Sequence, residues 1–194
     1  MSRRNCGEEA GAVPEIFDDA QFFTQYFSPG TSQKNPMNKI NLSQVPIEET
    51  ASPKGRFKLS YQDISQAMLG KRPPAAEHPH PFEVELVKLP PRAVNYPYHS
   101  HSAQWEFYLI IVGRGQLRSP DGLTEVREGD CLMLPPNEPH QLINTGASEL
   151  VYYVIANNVA SDVCYYPDSD KWKLPGQAKP VRVTNSLDYY DGEE

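Results

Sequence analysis

The stretch HSHSAQWEFYLIIVG (residues 99–113), followed by GDCLMLPPNEPHQLIN (residues 129–144), decides how this chain is read. Side chains alternate faces along a strand, so His99 and His101 project to the same side. Glu106 opens the apolar run WEFYLIIV (105–112) after a polar break at Ser102–Gln104. A second strand-like run, CLML (131–134), leads through a proline-rich turn into His140. Three imidazoles and a carboxylate suit one divalent transition metal, with Fe, Mn, Co, Ni and Zn as candidates. Mid-row ions accept five or six ligands, so such a set leaves positions open for water or substrate.

Outward from these stretches the pattern is that of short strands. FEVELVKL (82–89) alternates, and strands are expected at 96–101, 105–112, 114–118, 123–127, 130–134, 139–143 and 149–156. Turn signals separate them at Gly113–Gly115, Ser119–Gly122, Glu128–Asp130 and Asn144–Gly146. Many short strands with closely spaced turns indicate an all-β sandwich or barrel. Upstream, a strand-like stretch INLSQVPIEE begins after Lys39, and SYQDISQAM (60–68) reads as a short helix or irregular cover with Ser60 at its N-cap. KRPPAAEHPHP (71–81) is loop, which makes His78 and His80 surface residues. Residues 1–46 form an arm and linker whose aromatic segment, Phe17 to Phe27, needs a surface to pack on.

The spacing His99-x-His101-x4-Glu106-x6-Gly113 resembles the first cupin motif, and Gly129-x5-Pro135-x-Asn137-x2-His140-x3-Asn144 resembles the second. Asn137 stands where that family usually has glycine, and Asn tolerates a left-handed backbone. The segment SDVCYYPDSDKW (161–172) is similar to small single-domain bacterial cupins. The resemblance implies a double-stranded β-helix (jelly-roll) barrel over residues 47–168 with an acidic C-terminal tail at 169–194. It implies a metal held by His99, His101, Glu106 and His140, and a homodimer. It also implies a choice of chemistries on a small organic molecule: O2-dependent cleavage, sugar isomerisation or epimerisation, decarboxylation, lyase chemistry, or non-catalytic metabolite binding.

Alternation from His99 and His101 turns Asn95 and Pro97 inward and Tyr96 and Tyr98 outward. The same count turns Tyr108, Ile110 and Leu142 inward, so an apolar, aromatic cavity is expected over the metal. Gln104, Tyr108, Gln141 and Tyr153 are the candidates for orienting a substrate there. With Glu106 occupied as a ligand, no separate base stands out. An oxidoreductase of dioxygenase type needs the fewest further protein groups and is the first expectation.

Net charge is −7 and pI is near 5.3, which disfavours nucleic acid and anionic membranes as partners. FYLIIV is far too short to span a bilayer. No apolar core follows the two N-terminal arginines, so no secretory signal is read there. Three cysteines without metal-type spacing fit a reducing cytoplasm, with Cys131 and Cys164 expected as buried thiols.

Overall fold

Val87 and Leu89 share a phase in FEVELVKL, and both side chains are fully buried on the inner face of β3 (Phe82–Leu89). A computed structural model describes residues 39–69, 81–183 and 187–193. On one side β3 pairs with β2 (Lys58–Asp63), which pairs with β1 (Glu48–Ala51). On the other it pairs with β10 (Leu150–Asn157), which is followed by β5 (Glu106–Val112) and β8 (Cys131–Leu134). These six strands, all antiparallel, make one wall of the barrel.

The opposite wall comes from two three-stranded sheets. One runs β12 (Lys171–Lys173), β11 (Cys164–Tyr166), β4 (Ser100–His101). The other runs β7 (Gly122–Arg127), β6 (Arg114–Ser119), β9 (Gln141–Ile143). An antiparallel bridge between His99 and His140 joins them edge to edge. Leu59, Val87, Ile110, Val126, Leu134, Leu142, Leu150 and Tyr152 fill the space between the walls. The result is an all-β jelly-roll barrel.

Several local expectations are corrected. No strand begins at Lys39: Asn41 and Gln44 form a reciprocal capping box around a 3-10 turn, Leu42–Gln44, and pairing starts only at Glu48. Ser60 is not an N-cap but lies within β2. The short helix α1 (Ile64–Leu69) starts after it, where the Asp63 carboxylate accepts the Gln66 N–H at 2.7 Å. Regular pairing in 96–101 is confined to Ser100 and His101 plus the bridge at His99, because Pro97 has no N–H to donate. Cys131 is exposed at the start of β8, and Cys164 is only partly buried. The arm at 1–38 and the loop carrying His78 and His80 lie outside the described residues. No described helix is long and apolar enough to cross a membrane.

Two motif residues have structural work. Asn144 is buried; its amide donates to the carbonyls of Leu89, Pro90 and Ser148, and its oxygen accepts the Gly146 N–H. Gly113 turns the chain from β5 into β6 at φ 91°, and a Cβ there would stand 2.5 Å from the Glu149 carbonyl oxygen. Both the backbone conformation and that contact oppose a side chain. Gly113→Ala is therefore expected to cost about 3 kcal/mol or more. Denaturant midpoints at unchanged slope measure it, and a loss below about 1 kcal/mol would mean that the turn relaxes freely.

Candidate metal centre

The His99–His140 bridge sets two histidine backbones face to face, with backbone hydrogen bonds of 3.2 and 2.8 Å and ring centroids 4.7 Å apart. His101 lies two residues on, its ring 5.2 Å from that of His99. Glu106, first residue of β5 on the opposite wall, points back at them. His99, Glu106 and His140 each offer a ligand atom within 4.8 Å of the others. His101 Nε2 stands 3.9 Å from Glu106 Oε1. The loop before His140 keeps its register because Asn137 adopts φ 65° and its N–H donates to the His101 carbonyl at 2.6 Å. That is the left-handed conformation expected of Asn137.

Each histidine has its Nδ1 engaged. The Pro97 carbonyl faces Nδ1 of His99 at 2.8 Å, the Asp162 carboxylate that of His101 at 2.6 Å, and the Glu138 carbonyl that of His140 at 3.0 Å. Acceptors at all three Nδ1 atoms fix the tautomer and leave Nε2 as the ligating atom. His140 Nε2 meets Glu106 Oε2 at 2.7 Å. With acceptors at both of its nitrogens, a neutral His140 ring satisfies only one, and a cation between Nε2 and Glu106 satisfies the other. The donor set therefore fits a divalent metal.

Burial, with His140 and His101 nearby, holds His99 down to about 4, although Glu106 and the Pro97 carbonyl pull the other way. Burial alone would raise Glu106, but the hydrogen bond from His140 and the surrounding histidines outweigh it and hold the carboxyl well below its usual range. Tyr108, buried beneath, donates its hydroxyl to Glu106 Oε2 at 3.1 Å.

The other sequence candidates are placed as follows. The Gln104 amide donates to the Asn157 carbonyl at 2.9 Å, and the Gln141 amide to the Tyr96 carbonyl at 2.7 Å; both hold backbone. Tyr153 falls on the opposite face of β10 from Tyr152, away from the cluster. Tyr96 does not turn outward, whereas Tyr98 does, toward Arg118 on the outer face of β6. Tyr96 packs on the core with its ring 6.4 Å from that of His99, and Tyr98 is buried beneath the Arg118 guanidinium. The irregular backbone around Pro97 breaks the alternation on which the expectation for Tyr96 rested.

Sequence reasoning missed four residues. Asp162 accepts the Ala103 and Gln104 N–H groups at 2.8 and 3.1 Å as well as binding His101, so it pins the break between the two halves of the first motif. Cys164 lies directly across from His101 in the β11–β4 register, and Tyr166 stacks on His99 at 6.1 Å. Glu85 shares the inner phase of Val87 and Leu89. Burial, and then Asp63, Glu83, Glu106 and Glu48, push its carboxyl up to about 7. The phase of Val87 and Leu89 was the available signal for Glu85. Asp162, Cys164 and Tyr166 lie in the segment 161–172 singled out by resemblance, but nothing local gave them a role at the site.

Asp162→Asn keeps the shape but removes the charge that orients His101. It is expected to weaken metal binding about 10- to 100-fold without abolishing it, as measured by competition with a chelator. Unchanged affinity would mean that His101 needs no such anchor.

Fold and cluster together define a jelly-roll barrel with a histidine–carboxylate cluster suited to a metal on its inner wall. The family model for the cupin domain matches residues 85–156, so this stretch of the chain is a cupin domain. It superposes on the crystal structure of a sugar phosphate isomerase from Silicibacter pomeroyi with a TM-score of 0.63 and 23% identity, over 79% of this chain and 98% of that one. An uncharacterised protein of Methanocaldococcus jannaschii is 38% identical over 48 residues, 25% of this chain. An oxalate-binding protein of Thermotoga maritima is 28% identical over 69 residues, 36% of this chain. The matched stretches span 38% and 56% of those two relatives.

Proposed function

We propose that this protein is a metal-dependent enzyme acting on a small organic molecule, moving a proton at a carbon next to an oxygen. Isomerisation, epimerisation, decarboxylation and lyase chemistry share that step. One observation carries the metal assignment: three separate acceptors hold the Nδ1 atoms of His99, His101 and His140, turning their Nε2 atoms toward Glu106. A divalent ion there supplies Lewis-acid polarisation of a substrate oxygen.

Glu85 favours proton transfer over O2 chemistry. Its Cα partner on β10 is Val154, whose partner on β5 is Tyr108, so Glu85 lies one inner-face row from Glu106. A carboxyl titrating near neutrality serves as acid or base at working pH. The preference for dioxygenase chemistry rested on the want of such a group, and Glu85 removes that premise. Tyr108 holds Glu106 in place, and the buried tyrosines keep the wall dry. A phosphate-bearing substrate is less favoured, because Arg118 is held bidentately by Asp168 at 2.7 and 2.8 Å.

Elemental analysis of untagged protein purified without chelators, wild type beside His101→Ala, tests this. Zinc, manganese or nickel at about one equivalent, lost in the variant, leads to isomerase, decarboxylase and lyase assays. Iron with substrate-dependent O2 uptake would restore the dioxygenase assignment. A bound metabolite retained without turnover would make the barrel a sensor, and no metal in either protein would sink the metal centre.

A further inference from the structure

We infer that Cys164 is a further metal ligand of this chain, forming with His99 and His101 a thiolate-bearing face of the pocket that accepts a thiophilic divalent ion. The inference deepens the proposed metal centre and rests on it through the shared His99. His99, His101 and Cys164 each offer a ligand atom within 4.8 Å of the other two, as His99, Glu106 and His140 do. The two triads meet at His99, so the imidazoles have the carboxylate on one side and the sulfur on the other.

Strand pairing builds this face. Cys164 is the Cα partner of His101, so both side chains leave the β11–β4 ladder on the same side. Tyr166, two residues on, shares that side and stacks on His99. Burial pushes the Cys164 thiol up to about 11, outweighing the Tyr166 hydroxyl, which pulls it down. Asp162, two residues before Cys164, holds His101 Nδ1 from the same segment. A single stretch of chain thus positions one histidine and supplies the sulfur.

Burial keeps the thiol protonated until a cation arrives. Coordination then replaces the S–H proton with the metal, and the proton passes to solvent. A thiolate beside imidazoles favours zinc, cobalt or cadmium over manganese or magnesium, which prefer oxygen.

Cobalt(II) titration reads this out without a substrate. The full-length chain carrying Cys6→Ser and Cys131→Ser removes the other two thiols. A near-ultraviolet sulfur-to-cobalt charge-transfer band is expected to grow to saturation. It should vanish on adding Cys164→Ser, while the visible d–d bands of cobalt held by the histidines and Glu106 persist. In the unaltered protein, zinc is expected to slow alkylation of Cys164 at least about tenfold, followed by peptide mass spectrometry. That second measurement decides the matter if Cys164→Ser misfolds. Cobalt bound with d–d bands but no charge-transfer band, or alkylation indifferent to zinc, would overturn the Cys164 assignment and leave the histidine–glutamate centre standing. No cobalt bound at all would overturn both.

Discussion

Glu85→Gln is expected to stabilise the protein at pH 8 by about 2–3 kcal/mol while removing turnover. In the fold the Glu85 carboxyl is pushed from 4.5 up to about 7. A carboxyl raised on folding binds its proton more tightly in the native state, so its stabilising contribution is complete below about pH 4.5 and is lost as pH rises through 7. At pH 8 the native state carries the full cost of an ionised carboxylate facing Asp63, Glu83, Glu106 and Glu48. Glutamine has nearly the same shape and no charge, so it avoids that cost. Groups that titrate equally in both proteins cancel in the comparison. His99 is one of them: its folded value is depressed, and its contribution is lost as pH falls from 6.5 to about 4. Denaturant midpoints at pH 5 and pH 8 therefore suffice. The advantage of the variant must grow between them; a constant gap would place Glu85 in a water-like setting and remove it as the proton-transfer group. A group that destabilises the fold at working pH is what a functional carboxyl does.

Glu106→Gln is expected to lower metal affinity by more than about 100-fold, beyond the loss typical of outer-shell changes. Glu106 is the only anion of its triad, and the amide that replaces it is a poor ligand for a divalent ion. The amide N–H of the glutamine can donate to the Nε2 lone pair of His140, so the fold is expected to survive, as circular dichroism would show. Protons and metal compete for the same nitrogens, and an ordinary imidazole protonates near about 6.5. With His99 held to about 4, wild-type affinity is expected to fall through the histidine range and to be lost by then. Occupancy unchanged well below about pH 5 would mean that these histidines are not the ligands.

The ligand types, their order along the chain and the turns between them are local properties and can be read from the residues in order. Strand alternation pairs His99 with His101, Gly113 marks a turn that admits no side chain, and Asn137 is a residue that tolerates φ 65°. Alternation divides a strand into two faces but does not say which is inside. The facing of Glu85 was decided by tertiary structure, where Val87 and Leu89 enter the core and carry the carboxyl in with them. Tyr96 was decided there too, because the backbone around Pro97 leaves the ladder and turns its ring onto the core. Asp162, Cys164 and Tyr166 reach the centre only through the pairing of β11 with β4, across a sequence separation of 61 residues from His101 to Asp162. Local composition carries no trace of such a contact. It forms because an unpaired strand edge beside His101 has its N–H and C=O groups satisfied by whichever segment the barrel brings alongside.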